Sequence, residues 1–546
     1  MRLPGWIASL TALAALLAVE GAYYLDDFSP WKLYAALFWI AFSVTAIVST
    51  WMFAFATFLE RDLWRLPGKF WYLIAFFLPP ALILFDGGGI RFSRVDGEGL
   101  QQLSTGMYLM RNDPSLGVFR MGYFTYVARQ YVLSCLPSFF LGPSLWASRV
   151  GTTMFYIGSY LFFLSALVTF FRRIRLTDPM FFAGYCGVMI ALGQYTLLNA
   201  RKFEQTTMPI AVTLFFIAAL FLFLSQPSSL SFLWLAWGFG FFPECYTPAL
   251  GAFGLALVAL LYLIVRRRMA SLVPVVLYGA ATFWVAFQIV RNENPNTLPG
   301  RFSTDADKFT GGDWLQRYLH GVRAVVGSDF ALIPAPLVLA ILAAACLAWR
   351  YRDVRFAAIL AWAGAVACAS LTFVGSNRNF PNYDIHRAMV ILPPLTVASV
   401  LLLNRFVAGL GNAAPALSLI RWAGGLSMVY MVFTAVFTVL LVRNFFAEQM
   451  VDDFDEAMSM INQVVHAPGA RPIARVYLVP PLEMDIELGL RYFAPDSVVV
   501  RHAPPPGEKK PGNWVFSYIK KSPDDRFQNE VKPSLHPRPY LRLQPE

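Results

Sequence analysis

The chain has 546 residues, of which 57% are hydrophobic and only 14% charged, with a formal net charge of +11. Soluble globular chains carry roughly 25% charged residues, so this composition excludes a string of soluble domains and points to a polytopic α-helical membrane protein. The positive balance forms no nucleic-acid stripe: Lys and Arg cluster at the ends of apolar segments, where the positive-inside rule puts them, and no nucleic-acid partner is expected.

A membrane span takes roughly 17–25 mostly apolar residues, and about thirteen segments fit that description. The first, Trp6–Leu25, reads as a signal anchor, since no small-x-small cleavage site follows it. Leu33–Leu59 and Phe70–Phe85 come next, the latter with Pro79-Pro80, which suggests a kink or an early exit. Asp86–Arg149 is the longest polar interruption in the N-terminal half. Further spans are read at Val150–Phe171, Pro179–Leu198, Met208–Leu224, Ser229–Phe242, Ala249–Val265 and Ala270–Val290. The last four are Phe330–Trp349, Phe356–Val374, Met389–Leu403 and Leu419–Val442.

Charge tests this alternation. With the N-terminus cytoplasmic, the inner segments are Glu60–Lys69, Arg172–Asp178, Ser225–Ser228, Arg266–Met269, Arg350–Arg355 and Asn404–Arg421. They hold the strong basic clusters outside the long loops, as the positive-inside rule requires. Asp86–Arg149, Asn199–Thr207, Pro243–Pro248, Arg291–Asp329, Gly375–Arg387 and the C-terminal tail then lie outside. The expected location is a bacterial-type inner membrane.

The chain divides into residues 1–85 (N-terminal spans), 86–149 (a catalytic-type outer loop), 150–443 (a membrane core) and 444–546. The last part is polar and Pro-rich and reads as a small extracytoplasmic α/β domain. EAMSMINQVVH and MDIELGLRYF have helical spacing, ARVYLVP, SVVVRH and NWVFSYIKK read as strands, and KPSLHPRPYLRLQPE is expected to be irregular. The five cysteines form no CxxC pair and read as small buried hydrophobes.

Charges at a membrane edge are costly and so draw functional readings. Asp96 and Glu98 sit in the turn DGEG. At an outer face such a carboxylate can act as general base on an acceptor hydroxyl, or the pair can hold a divalent cation such as Mg or Mn; DGEG also fits a solvated turn. Arg201, Lys202 and Glu204 lie in NARKFEQTT, Glu244 in FFPECYTP, and Arg378, His386 and Arg387 before the twelfth span. Cations beside carboxylates suit an anionic lipid head group; each residue alone also fits snorkelling at the interface. His386 has no second His near it in sequence, so a metal role is disfavoured.

The run DGEGLQQLSTGMYLMRND, then FFLGPSLWASRVGTTMFYIGSYLFFL, resembles the GT-C superfamily of polyprenyl-phosphate-sugar-dependent glycosyltransferases, nearest to protein O-mannosyltransferases and aminoarabinose transferases. Carrying the likeness are the acidic loop, the pattern Gly142-x-Ser144-x-x-x-x-Arg149, the short loop NARKFEQTT and the segment DIHRAMVILPPL. In this chain Gly97 separates the two acids, two spans precede the loop where the family usually has one, and Glu244 stands near a position often basic in relatives. The resemblance implies an inverting transfer of a sugar from a polyprenyl-phosphate carrier, reached through bilayer lipid, to an extracytoplasmic acceptor. Asp96 or Glu98 would be the base, and Arg201, Lys202, Arg378 or Arg387 would hold the departing phosphate. Val118–Leu141 would supply juxtamembrane helices. Two other readings remain open: a transporter or flippase for a lipid-linked or anionic solute, for which no internal repeat is visible, and an inactive scaffold of an envelope assembly.

Overall fold

In the computed structural model the described residues are 30–85, 137–138, 140–193, 196–197, 207–241, 272–273, 276–277, 313–326, 371–372, 392–408, 413–441, 460–469, 472–478, 490, 493–494, 498–500, 513–518 and 541–545. The expected spans Trp6–Leu25, Ala249–Val265, Phe330–Trp349 and most of Ala270–Val290 and Phe356–Val374 lie outside them.

Helices α1 (Pro30–Phe58), α2 (Lys69–Phe85), α3 (Leu145–Arg173), α4 (Pro179–Ala191), α5 (Thr207–Ser225) and α6 (Ser229–Phe241) match the apolar segments within a few residues. An amphipathic helix, α7 (Trp314–Val326), lies within the segment 291–329 and was not anticipated. Helices α8 (Leu392–Ala408) and α9 (Ala413–Leu441) complete the described helical part.

Local chemistry explains the boundaries. Gly68 occupies the left-handed region (φ +79°) ahead of α2, and a Cβ there would lie 2.6 Å from the Phe181 amide nitrogen. Only glycine satisfies both the backbone and the space. The Asp178 side chain caps α4 by accepting from Phe181 N at 3.4 Å, and Pro179 fills the first helical position, where no N–H is needed. On its far side α4 stops at Ala191, earlier than the span expected to reach Leu198.

Helix α2 continues through Pro79-Pro80 instead of exiting there. A proline at position 79 cannot donate to the carbonyl four residues back, and in an apolar bundle that carbonyl needs another partner. The Tyr160 hydroxyl of α3 supplies it, donating to the Ala75 oxygen at 2.6 Å.

Helix α3 is the centre of the bundle. Its side chains Tyr156, Tyr160, Phe162 and Phe163 are fully buried. It runs parallel to α1, α5 and antiparallel to α4 and α6, as shown by Phe53–Phe162 and Phe170–Phe221 ring contacts and by Phe155–Trp237. Trp234 of α6 donates from Nε1 to Ser49 Oγ of α1 at 2.8 Å, satisfying two polar atoms inside the apolar layer. Small residues set the approach: Gly184 of α4 sits on the Trp71 backbone, and Gly187 sits on Tyr160, Leu164 and Ala75.

Helix α1 instead turns Val44, Val48, Met52 and Phe55 outward, and α9 turns out Leu419, Trp422, Leu426, Val429, Phe433 and Phe437. Soluble monomers rarely expose stripes of this size; facing lipid they need no partner. This is a polytopic helical membrane fold. By length and hydropathy alone, Thr153–Arg173 and Leu417–Phe437 qualify as spans among the described residues.

The C-terminal part holds a four-stranded sheet in the order β2-β1-β3-β4. β1 (Arg475–Leu478), β2 (Val498–Val500) and β3 (Asn513–Tyr518) fall where strands were expected and pair in parallel through β1. The tail is not wholly irregular: β4 (Leu541–Pro545) pairs antiparallel with β3, with Leu541 opposite Tyr518 and Pro545 opposite Trp514. The physical reason is the edge position. An edge strand tolerates proline, and the prolines at 537 and 539 hid the short alternation Leu-Arg-Leu. Residues 460–465 are helical, as expected for EAMSMINQVVH.

Candidate functional site

One end of the bundle is basic and is closed by ion pairs. Arg172 at the end of α3 donates from Nη1 to Glu60 Oε1 at 2.8 Å, and Arg421 near the start of α9 lies with Nε 3.0 Å from Asp178 Oδ2. Asp178 is almost fully buried, and burial raises its carboxyl pKa while Arg421 and the Phe181 amide oppose that shift. The segments meeting here are Glu60–Lys69, Arg172–Asp178 and the start of α9, all read as lying on one side of the membrane. The structure brings them together at one end.

It follows that α2 finishes, and α3, α5 and α8 begin, at the opposite end, where α4 and α6 also finish. Parallel packing of α2 with α4 fixes this, through Trp71 on Gly184 and Ala75 on Gly187. So does the Phe170–Phe221 stack of α3 with α5. Helix α8 joins α9 through residues 409–412, so its N-terminus points the same way. Every candidate segment issues from this end: 86–144 between α2 and α3, 198–206 before α5, 242–248 after α6 and 373–391 before α8.

Leu141 ends a short helical stretch, with Phe140 and Leu141 largely exposed. Gly142 then turns the chain in the left-handed region (φ +83°), and Ser144 caps α3 with its hydroxyl accepting from Ala147 N at 3.0 Å. In the pattern Gly142-x-Ser144-x-x-x-x-Arg149, the glycine and serine therefore build a helix start. Arg149 follows on the second turn of α3; its side chain is outside the described part. Of the stretch Val118–Leu141, expected to supply juxtamembrane helices, only residues 137–138 and 140–141 are among those described.

Asp96, Glu98, Arg201, Lys202, Glu204, Glu244, Arg378, His386 and Arg387 all lie outside the described residues. Among the described residues no group of three or more His, Cys, Asp or Glu converges on a possible metal site. Cys186 is a free, fully buried thiol in α4, as expected of a small hydrophobe; the other four cysteines are outside the described part.

No family model matches the chain, and no curated protein does either. Two solved structures are similar in overall shape. One is the crystal structure of ArnT from Cupriavidus metallidurans bound to undecaprenyl phosphate, at 13% identity and a TM-score of 0.42, covering 79% of this chain and 85% of that one. The other is the same protein in the apo state, at 15% identity and a TM-score of 0.42, covering 79% and 86%. At these values the likeness assigns no activity and no residue role.

Proposed function

We propose that the chain is a membrane glycosyltransferase that moves a sugar from a polyprenyl-phosphate carrier to an extracytoplasmic acceptor, with inversion. One observation supports this reading above others: every segment bearing a candidate acid or cation issues from the same end of the helix bundle, opposite the basic, ion-paired end. A lipid-linked donor arrives through the bilayer, and its phosphate lies at the membrane surface, so an enzyme acting on it must collect its polar groups at one face. The positive-inside rule makes the basic end cytoplasmic and the candidate end extracytoplasmic, together with the C-terminal α/β domain.

In the proposed reaction Asp96 or Glu98 takes the proton of the acceptor hydroxyl. The acceptor oxygen attacks the anomeric carbon from the face opposite the phosphate, a new C–O bond forms, and the bond from carbon to phosphate oxygen breaks. The electron pair leaves with the polyprenyl phosphate. Arg201, Lys202, Arg378 or Arg387 hold that phosphate and stabilise its charge, and Arg149, Glu204, Glu244 and His386 line the donor or acceptor path. The acidic pair is also where a divalent cation would bind, and no step above depends on one.

The test is the Asp96→Ala, Glu98→Ala double variant, purified and assayed for sugar transfer from polyprenyl-phosphate-linked donors. Loss of a general base costs about 100- to 10,000-fold in rate. Transfer at the unsubstituted rate would overturn the reading.

A further inference from the structure

A surface helix of a soluble protein buries its apolar stripe and turns its polar face to water. Helix α7 leaves part of its apolar stripe uncovered. With about 100° between successive residues, Trp314, Leu315, Tyr318, Leu319, Val322 and Val326 share one side, and Arg317, His320 and Gly321 share the other. Trp314 is 47% exposed and Leu315 and Leu319 are each 52% exposed. Gly321 is buried, Arg317 and His320 are half-buried, and the His320 Nε2 is shielded from solvent. Gln316 and Arg323 flank the exposed apolar residues.

We propose that α7 lies in the plane of the bilayer surface, with Trp314, Leu315 and Leu319 in the head-group and acyl boundary and Arg323 on phospholipid phosphates. Three observations select lipid as the occupant. Trp314, Leu315 and Leu319 are exposed although apolar, while Tyr318 and Val322 of the same stripe are half-buried. A cation borders the stripe, matching phosphate charge, and a tryptophan stands at its N-terminal end, the side chain best suited to an interface. The sequence also turns apolar again at Phe330, a few residues past the helix end at Val326. An amphipathic helix with basic residues and an exposed Trp-Leu face behaves this way at membranes generally. The inference does not depend on the glycosyltransferase reading, because it concerns only where the helix sits.

The test uses the full chain in nanodiscs of phosphatidylethanolamine and phosphatidylglycerol. Leu315→Cys, Leu319→Cys and Gln316→Cys variants are spin-labelled separately, and the signal of the unsubstituted protein is subtracted for its native cysteines. Collision rates with oxygen, which partitions into lipid, and with a water-soluble nickel chelate are compared. Labels at 315 and 319 should favour oxygen several-fold over the label at 316. Equal access to the nickel chelate at all three positions overturns the proposal. Labels at 315 and 319 shielded from both reagents also overturn it, since that result means protein covers the face.

Discussion

Helices α3 and α9 have the same length, 29 residues, and both contain a stretch long and apolar enough to cross a bilayer. Their surroundings are opposite. In α3 83% of that stretch is buried, in α9 only 17%. Hydropathy does not separate them, because lipid and protein core are equally apolar solvents for a side chain. What separates them is small and polar residues. Helix α3 carries Gly158 under Trp51, a tyrosine serving the carbonyl freed by Pro79, and buried hydroxyls at Ser159 and Ser165. Helix α9 meets the bundle along one line, through Arg421 at Asp178, Gly424 at Phe181 and Tyr185, and Gly425 near Trp71. Membrane helices associate by close packing and polar pinning, and the two differ in how much of each they use.

The largest effect is expected where the core is tightest. A Cβ at Gly184 would lie 2.8 Å from the Trp71 carbonyl carbon, which is backbone and cannot swing aside. Gly184→Ala should therefore destabilise by about 3 kcal/mol, at the upper end for overpacking, read as a lower midpoint in detergent unfolding. Tyr160→Phe comes next. It leaves the Ala75 carbonyl buried without a donor, and such a group costs about 1–3 kcal/mol. An unchanged midpoint for Tyr160→Phe would mean that α3 is no more tightly held than α9, and one for Gly184→Ala would mean that α4 and α2 are not in tight contact.

The same contrast shows what could be read from the chain. Apolar runs marked the helices because desolvation is local, whereas the caps at Ser144 and Asp178 were not read, and the span expected from Val150 starts at Leu145. The inward and outward faces of α1 and α9 were not legible, since lipid-facing and core-facing residues share one alphabet. β4 was missed because two prolines masked a five-residue edge strand. Helix α7 was not anticipated, although its spacing of Trp314, Leu315, Leu319 and Val322 is regular, because a one-sided stripe of 13 residues is too short to be a span. For the candidate site, the sequence named the segments, and the described helices start or end at one end of the bundle where those segments leave. Whether any of those acids meets a cation depends on loop conformations that no spacing encodes.

The pin on α9 makes a smaller, pH-dependent prediction. Burial raises the folded pKa of Asp178 above the ordinary carboxylate value of about 4. The folded state then binds this proton more readily than the unfolded one, so ionisation of Asp178 lowers stability as pH rises through that window. Arg421 opposes the burial effect. Arg421→Met should push the pKa further up, move the loss of stability to higher pH and cost about 1 kcal/mol near neutrality, since the guanidinium is partly exposed and screened. Asp178→Asn should flatten the dependence. Unfolding midpoints across a pH series check both, and identical profiles for all three proteins would show that the pair does not hold α9.

The smallest expected effect has the opposite sign and bears most directly on the contrast between the helices. A Cβ at Gly425 would find only Trp71 Cζ2, at 3.7 Å, which is ordinary contact. Glycine inside a helix costs roughly 0.5–1 kcal/mol relative to alanine through the freedom of the unfolded backbone. With that cost removed and no clash created, Gly425→Ala should raise the midpoint slightly, while the chemically identical change at Gly184 lowers it strongly. Helices α4 and α9 are both apolar and both glycines sit mid-helix, so propensity alone predicts the same sign twice. Only the distance from the added methyl to its nearest neighbour differs, and a sign change between the two variants would assign the difference between central and peripheral helices to packing.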